Sequence, residues 1–226
     1  MNKTYIIFIL VIGVLVFGAV SFFREPKASP IMHILPSGPM TGVEETENYR
    51  VAYAVPTEGA LGAADIAAFV MDHVAEFKAQ ADRDVPELRK EGSATGKYML
   101  DIGIEQHVTG TYLSYVVMIG EYTGGASANQ TVRTFVYNRT TGEAAALADV
   151  VPSVDREDTM VAIRAKLYEV NGVTPEDKSV FGDVVQALVF EDLKNFYVTE
   201  EKIVVLFSKY EIAPGAAGVV LVEVPH

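Results

Sequence analysis

Residues 98–119 read Tyr-Met-Leu-Asp-Ile-Gly-Ile-Glu-Gln-His-Val-Thr-Gly-Thr-Tyr-Leu-Ser-Tyr-Val-Val-Met-Ile. Tyr98, Leu100, Ile102 and Ile104 alternate with Lys97, Met99, Asp101 and Glu105, the period of two that sets one side of a strand into a core. Thr109-Gly110-Thr111 supplies a short turn, and Tyr112 to Ile119 predicts the returning strand of a hairpin. Thr131 to Tyr137 predicts a third strand, followed by the turn residues Arg139-Thr140-Thr141-Gly142. Upstream, Glu47 to Val55 predicts a first strand that Pro56 ends. Between these, Ile66, Phe69, Val70, His73, Val74 and Phe77 recur at helical spacing, which predicts an amphipathic helix from about Leu61 to Arg83.

Downstream the pattern returns to helix. Asp155 is placed to cap a helix, with Asp158 three residues later echoing a capping box, and Met160, Ile163, Leu167 and Val170 mark its apolar side. Phe181, Val184, Val185 and Leu188 predict a shorter helix after Pro175. The last strands are expected at Phe196 to Thr199, Ile203 to Ser208 and Val219 to Val224. This order predicts an α+β fold: an antiparallel sheet, or two, with helices packed on one face. It lacks the regular strand–helix alternation of a doubly wound fold.

The run from Tyr5 to Phe23 contains no charge, and Lys3, Arg24 and Lys27 bracket it. A bilayer core needs about 20 apolar residues in helical form. The expectation is a single N-terminal transmembrane helix over residues 1–24, with the bulk of the chain outside the cytoplasm. Ala19-Val20-Ser21 offers a signal-peptidase pattern, but the apolar run exceeds the usual length of a cleaved signal. No Cys follows it, which excludes a lipoprotein anchor. Residues 25–46 hold Pro26, Pro30, Pro36 and Pro39 with no period of 2 or 3.6, and read as a spacer. Beyond it, residues 47–118 and 119–226 are expected to form two halves of one globular unit.

The chain has 226 residues and a formal charge of −12; residues 1–27 carry three of the 18 bases and one of the 30 acids, so the remainder has a net −14. That balance argues against nucleic acid and anionic headgroups as partners and suits a basic one. With no Cys, disulfides, thiolate metal sites and thiol nucleophiles are all absent. The four His, at 33, 73, 107 and 226, stand too far apart in sequence for a local metal motif. His73, within the apolar stripe, reads as a packed or helix-rim residue. Gly92 to Lys97 resembles a phosphate loop but is one residue short and leads into a strand, so it reads as a turn. Gly125-Ala126-Ser127-Ala128-Asn129 lacks the last Gly of a nucleophile elbow and also leads into a strand. No catalytic residues, metal site or cofactor are expected.

Two stretches combine residues unusually. One is Gly120-Glu121-Tyr122-Thr123-Gly124-Gly125-Ala126, with Phe135 to Glu143 and Leu147 to Val151 after it. The other is Phe196 to Thr199 followed by Phe207-Ser208-Lys209-Tyr210-Glu211-Ile212-Ala213-Pro214-Gly215-Ala216-Ala217-Gly218. Together they resemble the extracytoplasmic domain of the RsiV C-terminal type, which also precedes the catalytic part of PdaC-type peptidoglycan deacetylases. The likeness runs from about Ala52 to His226 and is strongest from Tyr122 onward. It implies a binding module of the bacterial cell envelope, with peptidoglycan or a basic, lysozyme-like protein as ligand. The binding residues it implies are Tyr122, Thr123, Gly124, Gly125, Ser127, Tyr210, Glu211 and Pro214. The family pattern has His where Ser127 stands and an aromatic where Gly215 stands, so weak lysozyme affinity is expected. Neither the sigma-factor-holding segment nor the deacetylase domain has a counterpart in the sequence. The alternative expectations are a cell-wall hydrolase using carboxylates and a structural accessory domain of a membrane complex.

Overall fold

The computed structural model describes residues 41–92 and 96–225. The expected anchor at Tyr5–Phe23, the spacer before residue 41 and the centre of the Gly92–Lys97 turn lie outside them. Among the described residues no helix is long and apolar enough to cross a membrane. The fold is α+β, built on two sheets rather than one.

Sheet A contains β1 (Gly42–Glu45), β2 (Tyr49–Tyr53), β3 (Tyr98–Val108), β4 (Tyr112–Tyr122) and β5 (Asn129–Asn138), in that order across the sheet. The hairpin read from residues 98–119 is present and longer than expected, with Met99 opposite Tyr122 at one end and Val108 opposite Leu113 at the other. Sheet A is mixed, which corrects the antiparallel expectation: β2 and β3 run parallel. The long helix between them, α1 (Ala63–Lys90), carries the chain back along the sheet, so β3 starts at the same end as β2. Gly42–Glu45 falls within the stretch read as spacer; it pairs antiparallel with β2, and Glu44 accepts hydrogen bonds from Tyr49 and Lys78. The Lys78 contact, then the Tyr49 one, holds the Glu44 carboxyl below its usual range, and the Tyr49 phenol is pushed up to about 12. β4 also runs through the boundary drawn between residues 118 and 119, so the two expected halves share a sheet.

α1 continues seven residues past Arg83 despite Pro86. Proline removes one backbone donor, but Val85 is fully buried and Leu88 packs on the same core, so the apolar stripe carries the helix on. Arg89 Nη1 donates to Asn48 Oδ1 at 3.1 Å and ties down the last turn. Ile66, Val70, Val74, Phe77 and Ala81 cover one face of sheet A, against Val51, Leu100, Ile102, Tyr115 and Val117.

The other face of sheet A meets sheet B, formed by β6 (Phe196–Val198), β7 (Lys202–Phe207) and β8 (Val220–Pro225). A short turn of helix, α2 (Leu147–Val150), leads through a 3-10 turn at Ser153–Asp155 into α3 (Arg156–Asn171), which α4 (Val180–Ala187) follows. Asp155 makes no side-chain capping bond, contrary to expectation. The 3-10 turn leaves it at φ −98°, ψ −5°, near-helical rather than the extended geometry a cap requires. Met160, Ile163 and Leu167 of α3 and Val185 of α4 pack on Phe196, Val205, Phe207 and Val222 of sheet B. The layers are therefore helix, sheet, sheet, helix, with helices on the outer faces of both sheets.

Two of three buried polar residues explain how the sheets dock, and the third closes a turn. Ser114 and Thr134 point from sheet A at the open edge of β6 and accept from the backbone N–H of Val198 (3.2 Å) and Phe196 (2.9 Å). Thr109 closes the β3–β4 turn by accepting from the Tyr112 N–H at 2.8 Å. An edge strand would otherwise bury unpaired donors.

At the same interface the His107 ring stacks on Tyr197, centroids 3.9 Å apart and planes 9° from parallel. Glu105 Oε1 lies 3.3 Å from its Nε2 without forming a hydrogen bond, and no described group bonds that buried atom. Burial pushes the His107 pKa down and Glu105 only partly offsets this. The unfolded chain, with His near 6.5, therefore takes up its proton first as pH falls. Stability supplied by neutral His107 is complete above about pH 6.5 and is lost as pH drops through the depressed folded value. We expect His107→Phe to remove that component. The difference in unfolding midpoint between parent and variant should change as pH falls below about 6.5; a constant difference would refute it.

Candidate functional site

The two motifs that stand out in the sequence meet in space. The first forms the β4–β5 turn. Tyr122 ends β4, and its hydroxyl donates to the Gly125 carbonyl at 3.2 Å. Gly124 and Gly125 both sit at φ +97°, a region side chains with a Cβ resist. A Cβ on Gly125 would meet nothing within 4 Å, so the backbone angle alone selects glycine there. Gly125→Val is expected to cost about 1–3 kcal/mol in a denaturant titration. An unchanged midpoint would assign that glycine no conformational role.

The second motif leaves β7 and runs to β8. Ser208 Oγ accepts from the Val132 N–H at 3.2 Å, and the Lys209 N–H donates to Gln130 O at 2.9 Å, so this loop caps the outer edge of β5. Lys209 Nζ then reaches across to Ser127 Oγ (3.0 Å) and Ala128 O (2.6 Å). Ser127, the position where the family resemblance leads one to expect His, thus fastens one loop to the other. Lys209 is the residue that sequence reading overlooked; nothing in its local pattern signals a contact 82 positions away.

Tyr210 is the one non-glycine residue with positive φ among the described residues (71°), and it is 62% exposed. Its ring lies directly against Gly215: a Cβ there would stand 2.0 Å from Cε1. The Tyr210 ring thus occupies the space that a side chain at 215 would take. Glu211 is used locally, Oε2 accepting from the Ser208 N–H at 2.7 Å. Pro214 opens a 3-10 turn at Gly215–Ala217. Between them Ile212 and Ala213 are buried in the core under α3, and Asn171 Nδ2 donates to the Ile212 carbonyl at 3.0 Å. The loop is pinned at its centre by Ile212 and Ala213 and exposes Tyr210, Glu211 and Pro214 on either side of that anchor.

The structure thus brings Ser127 and the Lys209–Pro214 loop together, with Tyr122, Thr123, Gly124 and Gly125 in the same turn. The arrangement offers an exposed aromatic ring, a lysine 5.1 Å from that ring, and backbone polar groups. These are means of binding. His73 lies on the rim of α1, its Nε2 2.8 Å from Oε1 of Glu121, the residue before Tyr122. Among the described residues no three His, Asp or Glu side chains are grouped to hold a metal ion.

The fold and this loop pair define an α+β protein with a mixed five-stranded and a three-stranded sheet. Residues 155–226, from the start of α3 onward, match the family described as a protein of unknown function, DUF3298. Two crystal structures share the fold more widely. A DUF3298 family protein from Pseudomonas aeruginosa PAO1 aligns with a TM-score of 0.54 and 12% identity, over 83% of this chain and 86% of its own. A member of the same family from Bacteroides fragilis NCTC 9343 aligns with a TM-score of 0.52 and 17% identity, over 78% and 81%. At such identities the likeness is one of fold. Among curated proteins there is no match.

Proposed function

We propose that this protein is a membrane-anchored, extracytoplasmic binding module of the bacterial cell envelope, of the RsiV C-terminal type, and not an enzyme. Its ligand is peptidoglycan or a basic, lysozyme-like protein, and its binding face is the loop pair at Tyr122–Ser127 and Tyr210–Pro214. The observation that carries the reading is the joining of these two loops through Lys209, which displays Tyr210 to solvent while core residues hold the loop from below.

The anchor rests on the uncharged run from Tyr5 to Phe23. The protein should stay with membranes through a carbonate wash and be digested by protease added outside the cell. A soluble mature form starting near Phe22 would overturn the anchor. The net −14 beyond residue 27 suits a basic protein ligand. Binding should then weaken steeply with salt, chiefly in the association rate, because the Debye length shrinks from about 10 Å at 0.1 M to about 3 Å at 1 M. Surface-immobilised full-length protein, probed with lysozyme over that salt range, tests this. Binding that ignores salt would exclude the electrostatic account.

A further inference from the structure

A groove of about 480 Å³ runs beside β5, away from the loop pair, between Thr134–Tyr137, Ala144–Ala148 and the segment from Phe190 to Phe196. That volume is within the range of small-molecule sites, about 300–1,000 Å³. Its walls are largely apolar, with small alanine side chains on one side and Phe190, Leu193 and Phe196 on the other. The charge around it is opposite to that of the protein. Arg133, Arg156 and Lys194 are in the lining against a single carboxylate, Glu191. None of the three cations is in an ion pair with a described residue, although acids outnumber bases about two to one beyond residue 27. Arg156 donates to backbone carbonyls, Nη2 to Ala148 at 3.1 Å and Nε to Val151 at 3.5 Å, and its guanidinium lies 4.9 Å from the centre of the Phe190 ring.

Strand addition is not what this edge offers. Several outward groups of β5 are already engaged: Thr134 N–H by Asn195 Oδ1, Val136 C=O by the Ala145 N–H, and Asn138 N–H by the Glu143 carbonyl. What remains for a ligand is an apolar, partly aromatic trough with guanidinium and ammonium groups at its side that have no carboxylate partner among the described residues. We infer that this groove is a binding site for a small organic anion, a carboxylate carried on an aromatic body. The rings would bury the body, while Arg156 and Lys194 hold the carboxylate by charge-assisted hydrogen bonds. The site is independent of the loop pair and of the proposed envelope ligand.

The test is titration of the full-length protein in lipid nanodiscs with naphthalene-2-acetate, naphthalene-2-acetamide and acetate, followed by calorimetry. Saturable binding of the naphthyl carboxylate is expected, with the neutral amide and the ring-free acetate each at least about tenfold weaker. Arg156→Gln and Lys194→Gln should each weaken it by about tenfold. The Lys194 ammonium bonds no described residue, only the backbone N–H of Lys194 being engaged, by the Asp192 carbonyl at 2.8 Å, so its variant remains informative if Arg156→Gln does not fold. Equal affinity for acid and amide, no binding of the acid, or an unaltered affinity in Lys194→Gln would overturn the inference.

Discussion

Ile163→Ala is expected to lower the unfolding free energy by about 2–5 kcal/mol, the cost of emptying an isoleucine-sized part of a close-packed core. Ile163 is fully buried on α3, in the cluster that joins α3 and α4 to sheet B. An urea titration measures the effect. A loss under 1 kcal/mol would mean that sheet B and α3 pack loosely, contrary to the arrangement described here.

The second large effect is expected from Ser114→Ala combined with Thr134→Val. Both changes keep volume nearly constant: Ser114→Ala deletes the hydroxyl and Thr134→Val replaces it with a methyl group, so each removes the acceptor. Each strands a buried backbone N–H, of Val198 and of Phe196, and an unsatisfied buried donor costs about 1–3 kcal/mol. If the two add, the loss is about 2–6 kcal/mol. Amide exchange at Val198 and Phe196 should also quicken relative to the rest of sheet B. A double variant as stable as the parent would show that β6 is not held to sheet A through these hydroxyls.

The strands and the two principal helices are legible because their apolar periods are clean. Val51, Leu100 and Ile102 in strands, and Ile66, Val70 and Val74 in α1, fall where period alone places them. Pairing is less legible. Whether the chain returns from α1 to make a parallel or antiparallel neighbour depends on how far that helix carries it, and Pro86 disguises its true length. Gly42–Glu45 carries little hydrophobic signal, since it stays largely exposed and is held by pairing with β2 rather than by a core-facing side chain. Ser114 and Thr134 look like ordinary polar positions in a strand; only the approach of β6 makes them structural. The candidate loops were legible as unusual combinations of residues, but not their union. That depends on Lys209, whose partners are 81 and 82 positions away. The Arg133–Arg156–Lys194 groove is assembled from three separate segments and has no signature in any one of them.

The central claim is that the joined loops are a ligand-binding face, and Tyr210 is the residue to test. Tyr210→Asn removes the exposed ring yet suits the left-handed backbone at φ 71°. Parent and variant should be compared for binding to purified lysozyme and to insoluble peptidoglycan at 0.1 M salt, alongside their unfolding midpoints. The account predicts that the parent binds one of the two, weakly in the case of lysozyme. It also predicts that Tyr210→Asn lowers affinity about tenfold or more while the midpoint is unchanged. Binding of neither ligand by the parent, or equal binding by parent and variant, would contradict it.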